Sequence, residues 1–239
     1  MTEGLILHTL FPTLVGQTTY HKKNEFKKLV LKTAHKNISD DGYSNELTGH
    51  LTLHHEKEYE DFFKFVSEKV NEYLKSLSVD PEKYNINIIK TWFNITKESN
   101  NPRHSHADAH LSFSYYVNTP EDCKKMICFF ADQKGHNNLH PGFLEYQVLN
   151  YHLFNSLSWS FETNEGDLFV FPASLEHSVI DSKDNIKNVE LTKKEEAPVT
   201  NKTALKSKRL VIAGDILLTF KEKTAVHMGI QPIKNWRTF

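Results

Sequence analysis

Cysteine is almost absent, with only Cys123 and Cys128 in 239 residues. That excludes a disulfide framework, and without C-x-x-C or C-x-x-H spacing it excludes a zinc knuckle built on thiolates. No apolar run approaches the ~18 residues that a membrane helix requires. The apolar start Leu5-Ile6-Leu7 is too short for a secretory leader and has Glu3 where such leaders carry lysine or arginine. Charge of one sign is lacking too: 29 Lys and Arg face 30 Asp and Glu, for a formal net charge of −1. A non-specific phosphate binder needs a net basic face, so no nucleic-acid partner is expected. Together these absences predict a cytoplasmic protein with reduced thiols and no membrane partner.

What is present is enough apolar material, 38% of residues, for a large core. From about Asn24 to Lys36, Phe26, Leu29, Val30 and Ala34 fall on one helical stripe. A longer amphipathic helix is expected from about Glu56 to Leu77, on the spacing of Phe62, Phe63, Val66, Val70, Tyr73, Leu74 and Leu77. Asp80-Pro81 closes it, since proline cannot continue a helix. Before these helices, residues 5–21 read as a strand interrupted by Pro12 and then a turn around Gly16.

Beyond residue 85 the apolar period shortens to that of strands. They are expected at 85–95, 111–117, 126–132, 158–163, 167–171 and 210–220, with a short last one near 225–230, and a long excursion over 133–156. Helices followed by many strands predict an α+β chain, one domain over 1–239. Supporting helices would occupy about 22–80 and a sandwich or barrel about 85–230. Residues 181–208 are strongly charged and read as a surface insertion, either a solvated loop or a flap.

Two stretches carry chemistry. In Arg103-His104-Ser105-His106-Ala107-Asp108-Ala109-His110 the candidate ligands alternate, so in an extended strand His104, His106, Asp108 and His110 would share one face. Imidazole and carboxylate together suit a divalent metal of intermediate hardness. In Gly166-Asp167-Leu168-Phe169-Val170-Phe171-Pro172, a glycine turn launches an apolar strand that proline ends, and His177 follows. That puts His177 at a strand end, where a barrel keeps the ligands of its mouth. The next strand opens on Lys208-Arg209-Leu210-Val211-Ile212. An arginine entering an apolar strand is costly unless it meets an anion, and its planar fork suits a carboxylate.

The order His106-x-Asp108, then Gly166…Phe171-Pro172…His177, then Arg209 opening an apolar strand resembles the 2-oxoglutarate and iron(II)-dependent oxygenases, in particular their prolyl-hydroxylase-like branch. The likeness spans about residues 90–220, and Tyr115-Tyr116-Val117-Asn118 matches that branch's strand after the His-x-Asp pair. It implies a double-stranded β-helix (jelly-roll) core with iron(II) on His106, Asp108 and His177. It also implies 2-oxoglutarate with its far carboxylate on Arg209 and Tyr116, and Asn94 nearby. Oxygen would be consumed and succinate and carbon dioxide released as a peptide, prolyl residue or small molecule is hydroxylated.

The sequence departs from that pattern in two places. The gap from His177 to Arg209 is 209 − 177 = 32 residues, which requires the 181–208 insertion. The hydroxyl residue often found four positions after the arginine is Ala213 here. His104-x-His106 also fits the cupin pattern, so a cupin-type metal-binding protein or isomerase, or a non-catalytic jelly-roll interaction protein, are the rival readings. A cupin would want a glutamate shortly after His106 and would give Arg209 no role, which favours Asp108 over His104 as ligand.

Overall fold

The structure, a computed structural model, describes residues 12–34, 52–96, 101–123, 125–131, 150, 156, 158–181, 205–222 and 229–237. The expected strand before Pro12, nearly all of the 133–156 excursion, most of the charged insertion and residues 225–228 lie outside the described residues. Among the described residues, no helix is long and apolar enough to cross a membrane.

Among the described residues, nine strands form two antiparallel sheets. In chain order they are β1 (Gly16–Thr19), β2 (Tyr84–Thr96), β3 (Asn101–His104), β4 (Leu111–Asn118), β5 (Lys125–Phe130), β6 (Ser158–Glu162), β7 (Asp167–Pro172), β8 (His177–Asp181) and β9 (Arg209–Phe220). The larger sheet runs β1-β7-β4-β9-β2 and the smaller β3-β8-β5-β6. From β2 onward, apart from the β5–β6 pair within the smaller sheet, consecutive strands alternate between the sheets, and strands distant in sequence become neighbours. This is a double-stranded β-helix. Gly16, expected in a turn, instead opens β1, because the edge of β7 offers its segment a partner from Gly16↔Val170 to Thr19↔Asp167. Tertiary pairing overrides the local turn signal.

Alternation along the strands separates two cores. Phe113 and Tyr115 on β4, Leu168 and Val170 on β7, and Ile212 and Ile216 on β9 face the helices. Tyr116, Phe169, Phe171 and Val211 face the smaller sheet, where Ile127 and Phe129 meet them. The helix layer is α1 (Lys23–Thr33) and α2 (Glu60–Ser76), whose buried stripes include Phe26, Val30, Phe62, Val66 and Val70. Each such side chain contributes about 1.5–3 kcal/mol through the apolar surface it removes from water. The helix expected from Glu56 begins four residues later, after a 3-10 turn over Lys57–Tyr59. Its end is set before Asp80-Pro81: Ser78 takes a left-handed φ of 57°. Val79 N–H then donates to Leu74 O and Ser78 N–H to Lys75 O, the paired bonds of a Schellman stop.

β9 lies between β2 and β4, and Gly214 makes that fit possible. A Cβ there would stand 2.6 Å from the Phe113 ring and 2.7 Å from the Lys90 carbonyl oxygen. Backbone on one side and a packed ring on the other leave little room to yield. Gly214→Ala should therefore cost about 1–3 kcal/mol, read as a fall of roughly 2–4 °C in Tm per kcal/mol. A thermal melt identical to wild type would contradict this.

One irregularity in β2 decides what faces the site. The β2–β9 register shifts between Ile88 and Lys90. Before the shift Ile86 and Ile88 pack against the helix-side core. After it Trp92 and Asn94 line the cavity between the sheets. A bulge that inserts one residue exchanges the faces, and it brings Lys90 directly opposite Asp215.

Candidate metal centre

The open end of the inter-sheet core carries three histidines. His104 ends β3 and pairs across the ladder with His177, the first residue of β8. Two residues past β3, His106 is held by its backbone N–H, which donates to Ala173 O at 2.8 Å. The chain has left extended structure there, so residues 104–110 do not form one strand face. A donor atom from each of His104, His106 and His177 lies within 4.8 Å of the others.

The other ring nitrogens are occupied. His104 Nδ1 is 2.7 Å from Pro102 O and His177 Nδ1 is 3.0 Å from Leu175 O. A carbonyl oxygen can only accept, so both rings carry their proton on Nδ1 and present a lone pair on Nε2. His106 Nδ1 is 2.6 Å from the Asp215 carboxylate, which fixes the same tautomer. Burial pushes His177 down to about 4, so its ring is neutral and able to coordinate at neutral pH. Three neutral imidazoles fit iron, zinc, nickel or copper, and they leave positions open on an octahedral ion.

Asp108 stands outside this cluster. Its side chain is 65% exposed, and its oxygens take Lys90 Nζ at 2.9 and 3.1 Å. That lysine holds the Asp108 carboxyl below the usual range. His110 is tied to β9 instead: its N–H donates to Ile216 O, and its Nδ1 accepts from Leu218 N–H at 3.0 Å.

Arg209 and Tyr116 come together deeper between the sheets. Arg209 is 1% exposed and Tyr116 fully buried. The guanidinium carbon sits 5.0 Å from the centre of the tyrosine ring. Burial raises the Tyr116 pKa, against the lowering influence of Arg209, so the phenol stays protonated and able to donate. Its hydroxyl has no hydrogen-bond partner among the described residues, and neither do Ser114 Oγ and Asn94 Oδ1. Ser114, Tyr116, Asn94, Arg209 and the three histidines line one cavity of about 60 Å³. Buried polar atoms left unpaired are expensive, and the acid group of a bound ligand would accept from the Tyr116 and Ser114 hydroxyls. The chain entering Arg209 is clamped by Asn118, whose amide donates to Leu205 O, Lys206 O and Lys208 O at 3.4, 3.1 and 2.7 Å.

Of the aromatics on these strands, Trp92 stacks on His106, with ring centres 5.8 Å apart. Phe129 and Phe169 belong to the core beneath the cavity. Sequence reasoning did not single out Asp215, Ser112 or Lys90. Asp215 is fully buried, and its Oδ1 also accepts from Ser112 Oγ at 2.8 Å. Its burial works to raise the carboxyl's pKa, but hydrogen bonds from His106, Ser112 and Lys90 outweigh it and hold the group below the usual range. The signal was present, since a carboxylate inside Leu-Val-Ile-Ala-Gly-Asp-Ile-Leu-Leu demands a partner as Arg209 does.

The epimerase SnoN from nogalamycin biosynthesis, a non-haem α-ketoglutarate-dependent enzyme, is 10% identical at a TM-score of 0.32, over 55% of this chain and 49% of its own. This chain thus spans about half of that protein. AviO1 from Streptomyces viridochromogenes Tue57 is 9% identical at a TM-score of 0.47, over 91% of this chain and 93% of its own. A prolyl-4-hydroxylase from Pseudomonas putida is 12% identical at 0.45, over 86% and 92%. No curated protein sequence matches the chain. Residues 90–189, which supply all three histidines and strands β3 to β8, match the model of the family described as "Putative 2OG-Fe(II) oxygenase".

Proposed function

We propose that the protein is an iron(II)- and 2-oxoglutarate-dependent dioxygenase that hydroxylates a peptide or small molecule, with its iron held by His104, His106 and His177. The observation that carries this reading is the set of three imidazoles, each anchored at Nδ1, with donor atoms within 4.8 Å of one another. Iron with 2-oxoglutarate and oxygen supplies the oxidation of an unactivated C–H bond, releasing succinate and carbon dioxide. The chain's own groups hold and orient. Arg209 offers its fork to the far carboxylate of 2-oxoglutarate, and the Tyr116 hydroxyl donates to the same group. Asn94 and Ser114 border it. Phe169 and Val211 keep water from the carboxylate's surroundings, which strengthens each of these contacts.

The test is anaerobic titration of the iron(II)-loaded protein with 2-oxoglutarate, followed by admission of oxygen. Chelation of the metal by the 2-oxo acid gives a weak visible charge-transfer band, and oxygen then gives succinate. Iron that binds without either response points to a cupin-type protein. A panel of peptides and metabolites, scored by succinate release, then separates the substrate classes.

A further inference from the structure

Asp215 is a fully buried carboxylate on an otherwise apolar stretch of β9. Its neighbours along β9 are Ala213, Gly214 and Ile216, and Ile216 belongs to the helix-side core. A charge with no solvent exposure costs several kcal/mol unless it is fully paired. All of its partners stand at the metal end: His106 Nδ1 at 2.6 Å and Ser112 Oγ at 2.8 Å on Oδ1, and Lys90 Nζ at 3.2 Å on Oδ2. Lys90 in turn reaches the exposed Asp108 at 2.9 Å. The groups form a line from solvent to the histidine cluster: Asp108, Lys90, Asp215, His106.

We infer that Asp215 is the positioning residue of the metal centre, which orients His106 and supplies, one group removed from the metal, the negative charge that three neutral imidazoles lack. The inference rests on the reading that these histidines hold a metal. By accepting from Nδ1, Asp215 locks the proton there, keeps Nε2 as the donor and makes that nitrogen more basic. Ser112, directly across the ladder from Asp215, fills a second lone pair of Oδ1 and fixes the carboxylate's rotation. Lys90 holds Oδ2, and Asp108 keeps Lys90 in place. The acidic residue two positions after His106 thus serves the centre through two intermediaries and does not touch the metal.

Cobalt(II) is the probe, loaded into the full chain and titrated against a chromophoric chelator. Asp215→Ala should weaken cobalt binding by roughly 10–100-fold, the usual loss when the partner of a ligating histidine is removed. Asp108→Ala should change it by less than about threefold, in line with an exposed ion pair. Proton NMR of the cobalt form supplies a readout that a merely structural role would not move. Each of the three imidazoles bound through Nε2 should show a shifted, exchangeable Nδ1–H signal. Asp215→Ala should erase the His106 signal by opening it to solvent exchange and leave the other two. If Asp215→Ala does not fold, Ser112→Ala and the near-isosteric Asp215→Asn carry the test, each with a several-fold loss of affinity. Wild-type affinity and a full set of signals in every folded variant would overturn the inference. Absence of those signals from wild type would instead overturn the three-histidine centre itself.

Discussion

His104→Ala should fold and yet fail to retain iron(II), with a loss of affinity beyond the ~100-fold that removing a ligand's supporting group can cause. Asp108→Ala should keep its iron. The contrast follows from position: His104 pairs with His177 across the ladder and contributes a donor to the cluster, while Asp108 is spent on Lys90 in solvent. For Asp108 to bind the metal, its carboxylate would have to leave Lys90 and turn inward, freeing a lysine beside the buried Asp215. Iron content after gel filtration and chelator competition on both variants decide the matter. Iron lost from Asp108→Ala and kept by His104→Ala would establish His106, Asp108 and His177 as the ligand set.

Arg209→Ala should raise the 2-oxoglutarate dissociation constant more than any other change outside the metal ligands. Truncating one side of a buried, hydrogen-bonded charge pair costs ~2–5 kcal/mol, roughly 30- to several-thousand-fold. Arg209→Lys keeps the charge but not the fork, and should lose affinity by a smaller factor. It also guards against a folding defect, since Arg209 is among the largest fully buried side chains. A 2-oxo acid without the far carboxylate gives the sharper measurement. Wild type should discriminate strongly against it in anaerobic binding, and Arg209→Ala should not. Unchanged discrimination would place the carboxylate elsewhere in the cavity.

Much of this was legible in the sequence. The stripes on α1 and α2 follow from apolar period, since each buries one face, and the strand runs from β4 onward from their short apolar stretches, several of them buried on both faces. Arg209 was legible because a charge in an apolar strand needs a reason, and Tyr116 through the likeness of Tyr115-Tyr116-Val117-Asn118 to the prolyl-hydroxylase-like branch; the structure brings both into one cavity. The arrangement of the histidines was not. Alternation from His104 to His110 assumes an unbroken strand, whereas β3 ends at His104 and the next six residues belong to a connection. Which of His104 and Asp108 faces inward is set by Ala173 O holding His106 and by Lys90 drawing Asp108 away. Both contacts join residues far apart in the chain. The bulge after Ile88 is equally silent in the sequence, yet it alone lets Lys90 face Asp215.

Asp215 and Arg209 are carried by the same strand, and that strand is the last of the nine among the described residues. A chain emerging from synthesis therefore has all three histidines in hand before it has either the carboxylate that orients His106 or the guanidinium that would receive the cosubstrate. Nor can the two arrive separately. They are six residues apart, an even number, so a slip of one position in β9 would turn both out of the cavity together and put Leu210 and Ile216 in their places. The docking of β9 between β2 and β4 thus brings the carboxylate and the guanidinium to the histidine cluster in a single assembly step.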